Sequence, residues 1–134
     1  MTVSDCIRAS KSQLYDARRF LETGGAINWI PKSLEHAVYW AMQAWVMHNK
    51  CELRDSSSMG ICKAFIEAAS EELRSPISYC YSEAKYLEYD LMGSSCREEP
   101  LPPLDVWKKS AFECLDKAEI AIANLFEDIG DLKE

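Results

Sequence analysis

The groups able to move a proton, hold a metal or attack a carbon are two histidines, 22 carboxylates, six cysteines and six tyrosines. Spacing decides which of them could act together. His36 and His48 stand twelve residues apart, too far to form a compact ligand pair on one helix. A di-metal carboxylate bundle needs Glu-x-x-His pairs. Ser33 and Trp45 occupy the glutamate positions, so no metal is expected and no cofactor is implied. The pairs Glu67–Glu71 and Glu83–Lys85–Glu88 read as exposed helix faces. His36, beside Glu35, reads as a structural histidine rather than a general base.

Cys6, Cys51, Cys62, Cys80, Cys96 and Cys114 lie at wide gaps with no C-x-x-C pair, which excludes the common zinc spacings. A chain of 134 residues can build a core without staples. The opening MTVSDCIRAS has no apolar h-region. Free thiols in a reducing cytoplasm are therefore expected, several of them as small core residues.

The best ligand-binding candidates are Arg74, Tyr79 and Tyr81. An arginine beside aromatic rings can hold a phosphate and stack a base. The plainer reading weighs more: Arg74 as a loop residue and the tyrosines packed between helices. The formal net charge of −7 opposes general nucleic-acid binding, which rests on neutralised phosphates. Residues 1–32 are the exception, with five bases against three acids. A solvated helix face accounts for these bases more simply than a phosphate surface.

Apolar residues recur at three- and four-residue spacing, and no useful stretch alternates with period two. The predicted class is all-α, an antiparallel four/five-helix bundle in one domain, 1–134. Helices are expected near 4–22, 31–49, 58–73, 76–92 and 104–129. Ser4 is a plausible cap for the first helix, and Thr23-Gly24-Gly25 its stop. Pro31 suits the start of the second helix. Ser75 and Pro76 suggest a cap and first position for the fourth. Gly93 closes that helix, GSSCREEPLPP is a long loop, and Gly130 stops the fifth helix before a free DLKE tail.

The second helix is unusual. From Ala37 to Met47 only Gln43 is polar, and Lys32 and Glu35 are among its few other polar groups. A helix apolar almost all round must be covered on nearly every side. Its apolar run is about half of the ~20 residues a membrane span needs, so it predicts a central helix and no membrane. Trp40, Gln43 and Trp45 are candidates for an interface with a second subunit. The Gln43 amide would either bond its own copy across a two-fold axis or reach the helix edge.

The segment Gly25-Ala26-Ile27-Asn28-Trp29, followed by Ala37-x-Tyr39-x-Ala41-x-x-Ala44, resembles the start of the second helix in HEPN domains. These are the bundles named for higher eukaryotes and prokaryotes nucleotide-binding. Leu14–Glu22 resembles the family's preceding helix and Leu104–Ile129 its long last one. The resemblance covers most of the chain, mainly as a pattern of helices. It implies a five-helix bundle, a homodimer and association with a minimal nucleotidyltransferase, often in a toxin–antitoxin pair.

Family ribonucleases carry an arginine, four to six residues, then a histidine. Here Tyr79, Cys80 and Tyr81 follow Arg74 at those positions, and no other arginine precedes a histidine suitably. Histidine moves protons near neutral pH; tyrosine, with an ordinary pKa of ~10, does so poorly. The resemblance thus implies a non-catalytic binding and assembly protein, with no catalytic residue to name. The alternatives are a nucleotide- or RNA-binding HEPN-type protein with a degenerate ribonuclease cleft, and an unrelated helical adaptor.

Overall fold

The computed structural model describes residues 1–53, 55, 57–92 and 103–130, excepting the Met92 side chain. Five helices pack against one another: α1 (Val3–Thr23), α2 (Ile30–His48), α3 (Ser58–Ala68), α4 (Glu71–Met92) and α5 (Leu104–Ile129). A single 3-10 turn, Ile27–Trp29, leads into α2. The described residues include no strand. The all-α bundle expected from periodicity is the architecture observed.

Local signals explain most boundaries. α1 starts one residue earlier than expected because Thr2, not Ser4, caps it. The Thr2 hydroxyl accepts from the Asp5 N–H, and the Asp5 carboxylate accepts from the Thr2 N–H, a reciprocal capping box. Gly24 ends α1 in the left-handed region, φ 74°, and its N–H donates to Phe20 O at 2.9 Å. Pro31 sits in the first turn of α2, where its missing N–H costs nothing.

The boundary between α3 and α4 differs from expectation. The break falls at Ala69, whose backbone is extended, and α4 begins at Glu71. Pro76 therefore lies inside α4 rather than at its first position. The N–H groups of Leu73 and Arg74 donate to Ser70 O, starting the helix a turn and a half ahead of the proline. Gly93 and most of the expected 93–103 loop, including Cys96, lie outside the described residues, as does the DLKE tail.

α2 is the central helix, packed against α1, α3, α4 and α5. Twelve of its nineteen residues are buried, which is why its sequence is apolar nearly all round. Two apolar clusters stack along the bundle. One joins Val38, Trp45 and Val46 of α2 to Ile61 and Phe65 of α3, Ile77 of α4 and Ile122 and Leu125 of α5. The other joins Ile30 and Leu34 of α2 to Leu21 of α1, Leu87 of α4 and Trp107 and Leu115 of α5. No helix of the described residues is long and apolar enough to cross a membrane.

Candidate functional site

Burial makes α2 the place to look for polar exceptions, and Glu35 is the sharpest. Its side chain is only 5% exposed. Lys32, Glu35, His36, Tyr39 and Trp40 recur at three- and four-residue steps, so they share one face of α2. That face meets Tyr81, Lys85 and Glu88 of α4, again one helical stripe. With Ser58, from the first turn of α3, most of these residues line a cleft of about 520 Å³. A second groove of about 410 Å³, lined by Tyr81, Ser82, Lys85, Tyr86 and Tyr89, shares Tyr81 and Lys85 with it.

The charges in the cleft form a four-membered network. Lys85 Nζ lies 2.8 Å from Glu35 Oε1. Lys32 Nζ lies 3.1 Å from Glu88 Oε2 and 3.7 Å from Glu35 Oε2. Lys32 thus draws an oxygen of each carboxyl group to one ammonium, which makes the two carboxyls neighbours. Burial, and then the neighbouring Glu88, push the Glu35 carboxyl above its ordinary value. The Glu35 hydrogen bond, helped by Lys32, holds Glu88 below its own. Lys85 is raised by its bond to Glu35, and Lys32 by its ion pair with Glu88. Lys85 Nζ also sits 5.2 Å from the Tyr81 ring centroid, a cation–π distance. Tyr39 and Trp40 meet edge to face at 5.4 Å.

This network corrects the reading of Glu83–Lys85–Glu88 as an exposed face. Lys85 and Glu88 reach across to α2. The charged pair Lys32 and Glu35 in a mostly apolar helix was the available signal, but its partners on α4 are distant in sequence.

Arg74, Tyr79 and Tyr81 do not converge. Arg74 Nη1 donates to Ile66 O at 3.2 Å and is spent on the α3–α4 turn. Tyr79 faces α5, with Lys117 Nζ 5.0 Å from its ring centroid and 3.5 Å from its hydroxyl. Tyr81, two residues on, points to the opposite side and lines the cleft. A two-residue step turns an α-helix by about 200°.

The interface candidates also separate. Trp40 is half-buried and lines the cleft. Gln43 is half-buried at the helix edge, with its amide nitrogen 3.9 Å from Met47 Sδ. Trp45 is covered by its own chain: its Nε1 donates to Asp128 Oδ2 at 2.9 Å, and its ring meets Phe65 edge to face.

The bases of α1 are largely paired within the chain. Arg8 meets Asp5, and Arg18 bridges Asp116 and Glu119 of α5. The described cysteines are free thiols, and burial pushes Cys80 up to about 11 and Cys114 up to about 12. Among the described residues no group of three or more His, Cys, Asp or Glu side chains is placed to hold a metal ion. No protein-family model matches the chain, and no curated protein is significantly similar to it.

Proposed function

We propose that the chain is a non-catalytic, HEPN-like bundle that works by binding and assembly, as a homodimer joined by a partner such as a minimal nucleotidyltransferase. The observation that carries this reading is the tyrosine-lined groove along α4. Tyr86 is 66% exposed and Tyr89 49%, and both flank an apolar groove. Amphipathic aromatic rings beside a concave apolar surface are the composition of a protein-binding patch. The helix order, the 3-10 lead-in to α2 and the absence of an Arg-x(4–6)-His pairing are in keeping with it.

Sedimentation at micromolar concentration tests assembly. A dimer that Tyr86→Glu converts to monomer, with the helical signal retained, is the expected result. A strict monomer throughout the micromolar range overturns the homodimer. Co-purification of the tagged chain with a minimal nucleotidyltransferase tests the partner, and its absence from the captured proteins counts against it.

The α2–α4 cleft favours a second reading, a nucleotide-binding protein with a degenerate cleft. Lysines beside Tyr39, Trp40 and Tyr81 suit a phosphate and a stacked ring. Calorimetric titration with a nucleotide series decides it: binding lost in Lys85→Ala supports the reading, and no binding by the native chain ends it.

A further inference from the structure

The floor of the α2–α4 cleft poses a problem in charge and hydrogen bonding. Glu35 Oε2 and Glu88 Oε2 are both sealed from solvent, and neither has a well-directed hydrogen bond from a protein donor. Lys32 approaches both as an ion-pair partner, nearer to Glu88. Lys85 is committed to the other oxygen of Glu35. Two ionised carboxylates that share one lysine repel, and sealed oxygens that lack a well-directed donor are costly. One proton between the two oxygens removes the repulsion and satisfies both atoms.

We propose that Glu35 and Glu88 hold a single proton between them and form a proton-gated clasp joining α2 to α4 beneath the cleft. Glu35 is the donor, because it is the more buried carboxyl and the one whose charged form burial disfavours most. Glu88, half-buried and closer to Lys32, is the acceptor. The other titratable groups around the pair are Lys32 and Tyr39 of α2, Cys62 of α3, and Tyr81 and Lys85 of α4, with exposed His36 on the cleft wall. Burial raises Tyr39, Tyr81 and Cys62, so these stay neutral while the carboxyl pair titrates. The two lysines stay charged. Loss of the shared proton thus takes the carboxyl–lysine cluster from a net charge of +1 to zero, and its attraction for an anionic ligand falls with it.

The sign for stability follows from proton counts. Above the ordinary glutamate value of 4.5, the unfolded chain has released both protons while the native pair retains one. The native state then binds more protons, so stability falls as pH rises through the raised Glu35 value. Glu88 acts oppositely: its contribution is present above 4.5 and is lost in acid, as pH falls through its lowered value.

Carbon-detected NMR titration of the glutamate side-chain carboxyls in the native chain tests the clasp, with assignments from E35Q and E88Q. One carboxyl is expected to titrate above 4.5 and its partner below, each responding to the other's step. E35Q, whose amide can donate to Glu88, should remove the upper step and flatten the fall in stability on its alkaline side. If E35Q does not fold, E88Q supplies the assignment, and the native spectrum still shows whether a glutamate titrates high. A native spectrum in which every glutamate titrates at or below 4.5 overturns the proposal. So does an upper step that survives in both variants.

Discussion

Trp45 shows what a single residue in α2 does for the bundle. Its ring fills the space against Phe65, and its indole N–H reaches Asp128 on α5, so it ties three helices together. Trp45→Phe keeps a ring but deletes the bond, for an expected loss of about 1–2 kcal/mol. Trp45→Ala empties the site and should cost about 3–5 kcal/mol. Urea denaturation of the two variants checks the order: equal costs would deny the ring's packing any part, and a costless Trp45→Phe would deny the hydrogen bond one. At this scale the sequence was only half legible. That Lys32 and Glu35 interrupt an apolar helix was readable, because their exposure could be weighed against the periodicity around them. That Lys85 and Glu88 meet them was not, because the pairing depends on how α4 lies on α2. Arg74 and Tyr81 stand seven residues apart, about two turns along one face, yet the Arg74 side chain folds back onto Ile66 O, and no spacing rule reports that.

Element boundaries were legible wherever a local chemical signal fixes them. Gly24, Pro31 and Gly130 each mark a helix end by backbone preference, and α5 matches its expected span of 104–129. The α3–α4 break was misplaced because Pro76 looks like a helix start, whereas packing and the Ser70 carbonyl start α4 earlier. A proline at that position removes a bond to Glu72 O and crowds it. Pro76→Ala should therefore stabilise α4 by a net of about 1–2 kcal/mol, after the unfolded chain regains some freedom. A rise in melting temperature checks this; a fall would mean the proline holds the α3–α4 turn. Gly60, in the first turn of α3, has the opposite sign. Alanine is the better helix former by about 1 kcal/mol, but its Cβ would collide with the carbonyl and carboxylate of Asp55. Gly60→Ala should cost about 1–3 kcal/mol despite its propensity, measurable by thermal denaturation. A stabilised variant would show that the Asp55 segment yields freely.

At the scale of the whole molecule, α2 belongs to both apolar clusters, which determines how the bundle comes apart. Trp45 reports on one cluster and Trp107 on the other, where its indole N–H donates to Leu87 O at 2.9 Å. Had each cluster its own central helix, the two ends of the bundle could melt independently. A shared helix makes loss of either cluster expose apolar surface of the same element, so the ends should unfold together. Leu34 is fully buried in the second cluster, and Leu34→Ala should cost about 2–5 kcal/mol. With Trp29 and Trp40 replaced by Phe throughout, comparing fluorescence transitions of Trp45→Phe and Trp107→Phe, each alone and combined with Leu34→Ala, separates the two remaining reporters. The expected outcome is that Leu34→Ala lowers the transition equally in both backgrounds and in step with the far-ultraviolet helical signal. A drop confined to the background that retains Trp107 would show that the two ends are separate units. The clasp between Glu35 and Glu88, beside Leu34 and Leu87 of the second cluster, would then brace that end alone rather than the whole cooperative bundle.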